Sequence, residues 1–332
     1  MYRAAIIGCG SVAQVHAAVL AGLAETALIA CADVRPERAR VLAEKYGCAA
    51  YDSLDALLAA EQPDCVHLCT PHYLHTPMAE RLAEEGIAVF TEKPPVIDRA
   101  QWETLQRAAE KVRLGVCFQN RYNANVQALR ALLQKGTYGA VLGARAFVTW
   151  QRGAAYYQTS GWRGDWATEG GGALINQSIH TLDLLIYLLG RPEKVETRMA
   201  NHHLRGTIGV EDTVEAYLEV GGRPVLFYAT TAYSCSAPVM LEVHCRKATL
   251  RLEGKDLAIL TEAGEERRTF ASPEPLGKGY WGNGHLPCIS DFYASLGSGA
   301  PFRNGIAGVR DTVETLLTMY DQGRADLGKE QI

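Results

Sequence analysis

The sequence predicts an α/β first domain with a doubly wound parallel sheet, followed by an α+β domain built on a mostly antiparallel sheet. Three observations predict this. The chain opens on an apolar strand, a glycine turn and a helix start, Ala4-Ala5-Ile6-Ile7-Gly8-Cys9-Gly10-Ser11-Val12-Ala13. Over roughly the first 120 residues, short apolar runs alternate with helical patterns, as parallel strands covered on both faces require. Beyond about residue 125 the apolar residues recur with period two, separated by hairpin turns. A chain of 332 residues is also too long for one ordinary core. The boundary is drawn between domains 1–122 and 123–332.

In the opening segment, Gly8 permits the tight turn, Gly10 lets the backbone approach a phosphate, and Ala13 is small enough for close packing of helix on strand. The helix opens at Ser11 or Val12, and its first N–H groups suit a pyrophosphate. A G-x-G-x-x-A turn by itself is a weak signal, but here an acid follows where a ribose would lie. Asp33 ends the apolar run 27–32 and stands 20 residues past Ala13. A carboxylate there accepts from both ribose hydroxyls and repels a 2′-phosphate, which favours NAD over NADP. Arg35 is either an acceptor of a 2′-phosphate or a solvated residue at the start of the helix 36–46.

Strands are expected at 3–7, 27–32, 65–69, 88–91 and 114–118, and helices at 12–23, 36–46, 53–59, 75–85 and 99–111. Ligands of such sheets bind beyond the carboxyl ends of the strands, so the informative loops are 8–12, 33–35, 70–75, 92–95 and 119–123. In the second domain a helix at 126–135 leads to a strand-like run at 141–151 and a helix at 172–189. Alternating strands follow, with hairpin turns at Gly221-Gly222-Arg223 and Glu253-Gly254-Lys255. Helices at 289–296 and 307–324 complete the pattern.

The net charge is −4 and the pI about 6.2, without a basic tract, so no nucleic-acid partner is expected. No apolar run approaches a membrane span, and no charged leader with an apolar core precedes the first strand, so a cytoplasmic protein without a membrane partner is expected. The nine cysteines sit mostly in apolar runs, the usage of small buried hydrophobes in a reducing compartment. No C-x-x-C pair occurs, and neither His202-His203 nor His72 with His75 has convincing metal-ligand spacing, so no metal site is expected.

Two constellations bear chemistry. Thr91-Glu92-Lys93-Pro94-Pro95 follows a parallel strand, and the prolines stiffen the chain that carries Lys93. Lys93 is either a proton acceptor beside a hydride acceptor or a surface lysine before a bend. The second runs from Glu169 through three glycines to Asn176, His180 and Asp183. On a regular helix Asn176 and His180, four apart, share a face, with Asp183 one step on. The glycines let a ligand or another backbone come close. His180 is either a satisfied core histidine or a functional one, and Asn176 together with the glycine entry favours function. Tyr156, Tyr157, Trp162, Arg163 and Trp166 suit stacking on a polyhydroxylated ring, or else form a satellite core. Arg121 and Tyr122 follow the last parallel strand, and 282–285 is a further candidate pocket edge.

Taken together these residues resemble the glucose–fructose oxidoreductase, inositol dehydrogenase and rhizopine catabolism (Gfo/Idh/MocA) family along essentially the whole chain. The resemblance rests on Gly8–Ala13, Thr70-Pro71 with His75, Glu92-Lys93-Pro94, Gln119-x-Arg121-x-Asn123, and the block from Gly170 to Asp183. It implies an N-terminal Rossmann dinucleotide-binding domain and a C-terminal domain with a large open sheet, often the interface of a homodimer or homotetramer. It also implies tightly held NAD(P), of which Asp33 favours NAD with NADP less favoured, and oxidation or reduction at one carbon of a sugar or cyclitol. Carried onto this sequence, Lys93 is the catalytic lysine and His180 the acid/base or hydroxyl-binding partner. Which of the two takes the proton stays open. The cofactor is expected on Gly8, Gly10, Ser11, Val12, Ala13, Asp33, Arg35, Thr70, Pro71, His75, Glu92, Lys93 and Gln119. The substrate is expected on Asn176, Arg121, Tyr122, Trp162, Arg163 and Asp183.

Many dehydrogenases of the family have Asp where this chain has Asn176, and an amide cannot accept a proton. Ser178 also replaces a glycine seen in many relatives. Two rival activities follow from the resemblance: NAD-dependent glycoside cleavage through transient oxidation and elimination, and a non-catalytic NAD-binding sensor. Both Lys93 and His180 are present, which a sensor does not need.

Overall fold

The computed structural model describes residues 1–270 and 282–327. It divides into two compact units. The first comprises Met1–Gln119 with Glu274–Val309, and the second Asn120–Pro273 with Arg310–Ile332.

The first unit alternates strand and helix: β1 (Tyr2–Ile7), α1 (Ser11–Gly22), β2 (Thr26–Ala32), α2 (Pro36–Tyr46), β3 (Ala49–Tyr51), α3 (Leu54–Ala60), β4 (Cys65–Leu68), α4 (His72–Glu84), β5 (Ala88–Thr91), α5 (Arg99–Lys111) and β6 (Leu114–Val116). The six strands pair in parallel in the order β3-β2-β1-β4-β5-β6. The order reverses between β1 and β4, and ligands of doubly wound sheets bind at that switch point. Local chemistry sets the helix starts. Ser53 accepts the Ala56 N–H at 3.2 Å and Asp98 the Gln101 N–H at 2.8 Å, while Pro36 occupies the first turn of α2.

A sequence boundary at 122/123 assigns everything C-terminal to the second domain. In the structure the chain instead returns to the first unit. Asn304 O accepts the Val116 N–H at 3.0 Å, and Gly305 bridges Gly115 antiparallel, covering the free edge of β6. Phe292 and Phe302 pack on Phe90, with ring centroids 5.0 and 6.2 Å from it. Gly115 leaves room for them, since a Cβ there would meet Phe292 at 2.7 Å.

The second unit contains α6 (Ala124–Gln134), β7 (Val141–Thr149), α7 (Ala154–Gln158), a π-helical turn (Ala173–Ser178), α8 (Ile179–Leu189), and β8 (Lys194–Ala200) to β14 (Gly264–Thr269). Its strands form one eight-stranded sheet in the order β14-β13-β12-β11-β7-β10-β9-β8, where β9 is Thr213–Val220, β10 Arg223–Thr230, β11 Met240–Cys245, β12 Thr249–Glu253 and β13 Asp256–Thr261. Every pairing is antiparallel except β7 with β10. The open, mostly antiparallel sheet expected from the sequence is therefore present. Helix α9 (His285–Ser298) lies in the first unit, and α10 (Ile306–Leu327) runs on into the second. All nine cysteines are free, and seven are buried. Among the described residues no helix is long and apolar enough to cross a membrane.

Candidate active site

The first unit presents a dinucleotide cradle at the carboxyl ends of β1, β2 and β4. Gly8 has φ +88°, and a Cβ there would lie 2.7 Å from the Cys69 carbonyl, so the turn admits only glycine. At Gly10 nothing lies within 4 Å of a built Cβ, and no side chain caps the N-terminus of α1. The first-turn N–H groups from Ser11 and Val12 thus end the helix without a side-chain acceptor, and Ala13 is fully buried against the sheet. Asp33 is fixed from both sides: Oδ2 accepts the Cys9 N–H and Oδ1 the Arg35 N–H, each at 2.8 Å. Each carboxylate oxygen can still accept a second bond. Thr70 Oγ1, in the loop after β4, is buried without a hydrogen-bond partner. An orphaned hydroxyl, an open glycine and an uncapped helix start fit a dinucleotide phosphate, and Asp33 fits its ribose.

The loop after β5 is clamped in place. His75 faces Pro94 O with Nδ1 at 2.7 Å and Thr70 O with Nε2 at 2.9 Å, and Thr76 Oγ1 donates to Pro95 O at 3.1 Å. The Lys93–Pro94 peptide is cis, and the Lys93 N–H donates to Glu92 Oε2 at 3.1 Å. His75, expected on the cofactor, is buried, and its ring ties the Thr70-Pro71 loop to the Lys93-Pro94 loop. Burial pushes its pKa down. Helix α4 begins at His72, one turn earlier than expected, which puts His75 inside the helix and turns it toward these carbonyls.

Behind Lys93, Glu92 joins a buried network. His16 Nε2 lies 3.0 Å from Glu92 Oε1, His16 Nδ1 2.9 Å from His67 Nδ1, and His67 Nε2 3.0 Å from the Tyr293 hydroxyl. Burial opposes charge on Glu92, but His16, with His285 and Lys93, holds its carboxyl well below the usual carboxylate range. Burial pushes His285 down to about 4. Ligand-type atoms of His16, Glu92, Cys117 and His285 all lie within 4.8 Å of one another. No local spacing announced this set, because its members come from four distant segments. Hydrogen bonding between His16 and Glu92 already closes part of it. Gln119 is buried at the end of the same unit.

In the second unit the block 169–183 is not one regular helix. A π-helical turn, Ala173–Ser178, precedes α8, so the four-residue spacing of Asn176 and His180 does not have the geometry of an α-helix. Ser178 Oγ donates to the Ala173 and Leu174 carbonyls at 2.8 and 3.1 Å, satisfying carbonyls in the widened turn. The glycines make room for protein. A Cβ on Gly171 would lie 2.0 Å from the Tyr320 hydroxyl, and one on Gly172 2.1 Å from Glu211 O. Glu211 Oε1 accepts from the Gly172 and Leu174 N–H groups and from Tyr320, at 2.9, 3.0 and 2.9 Å. Burial pushes the Glu211 pKa up.

Asn176 Nδ2 donates to Glu169 Oε1 at 2.5 Å, and Gln177 Nε2 to the Tyr156 hydroxyl at 2.9 Å. His180 stands in the first turn of α8, half-buried. Arg163 stacks on Tyr156 and Trp162, its guanidinium 4.5 and 4.8 Å from the ring centroids. Tyr157 forms a satellite core with Leu204, Ile208 and Val210, against which Tyr156 and Trp166 pack. The aromatic segment is thus in large part a core. Glu169 and Glu211 carry no role in the sequence reading; an acid directly before a glycine run was the available signal for the first.

Arg121 and Asp183, expected on the substrate, are turned inward. Arg121 Nε donates to Asp183 Oδ2 at 2.8 Å and its Nη2 to Oδ1 at 2.5 Å, and Thr312 also donates to Oδ1 at 2.8 Å. Both side chains are buried. The cause is plain: an arginine buried this deeply needs a bidentate carboxylate, and α8 supplies one. Tyr122 ends the 3-10 turn Gln119–Tyr122, half-buried.

With this geometry in place, comparison with known proteins defines the class. A profile described as "Oxidoreductase family, NAD-binding Rossmann fold" matches residues 2–120, and one described as "GFO/IDH/MocA C-terminal domain" matches residues 126–251. The chain belongs to the Gfo/Idh/MocA oxidoreductase family, and its first unit is an NAD-binding Rossmann domain. It is 36% identical over 218 residues to D-glucoside 3-dehydrogenase of Escherichia coli K12, covering 63% of this chain and 59% of that relative. It is 28% identical over 259 residues to inositol 2-dehydrogenase of Rhizobium meliloti, covering 76% of each. The WlbA dehydrogenase from Bordetella pertussis, solved with NADH and UDP-GlcNAcA, superposes with a TM-score of 0.84 at 26% identity, over 97% of this chain and 96% of that one.

Proposed function

We propose that this protein exchanges a hydride between NAD and a ring secondary alcohol of a sugar, sugar derivative or cyclitol. The observation that carries the reading is the clamped Glu92-Lys93-Pro94 loop. It stands at the same strand-end edge of the parallel sheet as Gly8 and Asp33. When bound, NAD supplies the hydride acceptor. Gly8, Gly10 and the start of α1 hold its pyrophosphate, and Asp33 its adenosine ribose. Lys93 or His180 takes the proton of the reacting hydroxyl. Asn176 hydrogen-bonds the same oxygen. The named activities of the relatives, which include oxidation of glucosides and inositols, support a polyhydroxylated ring as substrate.

Asp33→Asn removes the charge that repels a 2′-phosphate and gives up one of the two backbone N–H bonds that the carboxylate accepts. The ratio of NAD to NADP affinity is expected to fall by about tenfold, read from fluorescence titration with NADH and NADPH. An unchanged ratio removes Asp33 from cofactor selection. The activity itself is tested at 340 nm with NAD and a panel of glucose, galactose, myo- and scyllo-inositol, a glycoside and a nucleotide sugar. NADH formation with one of them supports the proposal; aglycone release without net NADH replaces it with glycoside cleavage. The outer face of the second unit's sheet, with Leu142 and Leu226 about half exposed, is proposed as the surface through which copies associate.

A further inference from the structure

Four side chains with metal-binding atoms converge inside the first unit. His16 comes from α1, Glu92 from the loop after β5, Cys117 from the position directly after β6, and His285 from the start of α9. One ligand-type atom from each lies within 4.8 Å of the other three. His16 Nε2 is 3.0 Å from Glu92 Oε1, and His285 Nε2 is 4.0 Å from the same oxygen. Bonds of about 2.0–2.3 Å place the donors of a tetrahedral metal about 3.3–3.8 Å apart. The separations in this set bracket that spacing, and side-chain shifts of about 1 Å or less bring the widest of them onto it.

The donors select the ion. Two imidazoles, a carboxylate and a thiol suit zinc and its tetrahedral analogue cobalt, whereas magnesium and calcium take oxygen ligands. The charges balance as well. With Glu92 as carboxylate and Cys117 as thiolate, a divalent cation leaves no net charge in the core, and an unbalanced charge there is costly. None of the four residues is more than 7% exposed. Protein fills all four positions around such an ion, as in structural sites, so none is left for a substrate.

A second observation does not depend on the donors. An imidazole bound to metal through one nitrogen carries a proton on the other and needs an acceptor for it. His16 Nδ1 lies 2.9 Å from His67 Nδ1, and His67 Nε2 lies 3.0 Å from the Tyr293 hydroxyl. With His16 Nε2 on the metal, its Nδ1–H donates to His67, and the His67 Nε2–H donates to Tyr293. The outer contacts therefore suit the metal-bound tautomer without turning a ring. Glu92 divides its oxygens in the same way: Oε1 faces the other three ligands, and Oε2 accepts the Lys93 N–H. Loading displaces two protons, one from the Cys117 thiol and one held between His16 and Glu92.

We propose that His16, Glu92, Cys117 and His285 form a closed structural site for a zinc-type divalent cation. Such an ion ties α1, the Glu92-Lys93-Pro94 loop, the end of β6 and α9 together at one point. It fastens a helix from late in the chain to the helix that opens at the glycine turn. Local spacing gave no metal site because each ligand comes from a different segment.

The test uses the whole chain, produced in zinc-supplemented and, separately, cobalt-supplemented medium, then desalted over chelating resin. Wild type is expected to retain about one equivalent of metal by mass spectrometry, and Cys117→Ser and His285→Gln less than about 0.2. The cobalt form of the wild type is expected to show the visible bands of tetrahedral cobalt together with thiolate-to-cobalt charge transfer. A chelator present during thermal unfolding is expected to lower the wild-type midpoint by about 5 °C or more and to move either variant by less than about 1 °C. Wild type without metal overturns the inference. So does one equivalent retained by either variant, which places the ion elsewhere. Where a variant does not fold, the wild-type cobalt spectrum decides: bands without thiolate charge transfer overturn the inference.

Discussion

Lys93→Met is expected to lower kcat/KM by roughly 10²–10⁴-fold while leaving NADH affinity within about twofold. The substitution keeps the length and apolar stem of the side chain and removes only the ammonium. The loop that carries it is held by contacts that do not involve that ammonium: the Glu92 carboxylate on the Lys93 N–H, His75 beside Pro94 O, and Thr76 on Pro95 O. The cofactor cradle at Gly8, Gly10 and Asp33 is equally independent of it. Steady-state kinetics with the panel sugar, alongside NADH titration, separates the two effects. Turnover within about threefold of the wild type removes Lys93 from the mechanism.

The second large effect concerns stability. Arg121→Met leaves the Asp183 carboxylate fully buried with its bidentate partner gone and, among the described residues, Thr312 still donating to it. Removing one member of a buried pair costs about 3–5 kcal/mol, since the remaining charge keeps its desolvation penalty. The stacking of the guanidinium on Tyr187, 4.9 Å from the ring centroid, is lost as well. Equilibrium denaturation measures the loss, and KM for the sugar in the folded fraction is expected to stay within about threefold. The opposite pattern, a raised KM with unchanged stability, would return Arg121 to the substrate site and contradict its inward orientation.

These two residues mark how far the sequence could be read. Lys93, Gly8 and Asp33 act through local features: a strand end, a turn, a fixed offset along the chain. Each was legible because a parallel strand delivers its carboxyl end to the ligand edge whatever the rest of the chain does. Arg121 and Asp183 are polar residues beside functional motifs, and nothing local distinguishes a residue facing a substrate from one facing a counter-charge 62 positions away. Glu211 packs against a glycine run 39 positions earlier, and Tyr320 reaches Ile175 across 145. Those contacts explain why Gly171 and Gly172 are glycines, which the sequence left open between a ligand and another backbone. The π-helical turn was hidden for a different reason. One extra residue per turn changes which side chains share a face without changing the apolar composition that announces a helix. The fold class survived these omissions because it depends on periodicity summed over many residues, while the site depends on a few long-range pairs.

The return of the chain to the first unit sets an order of events during synthesis. The strand β6 and the Phe90 side chain are made early, but their covers, Phe292, Phe302 and the Asn304–Gly305 backbone, emerge only after all of β7 to β14. A nascent chain halted near residue 270 carries the glycine turn, Asp33 and Lys93, yet its sheet ends on an unpaired strand beside an uncovered aromatic. On the ribosome, the part of the protein that begins first is thus among the last to be finished, and its edge stays open to other strands while the second sheet is being made.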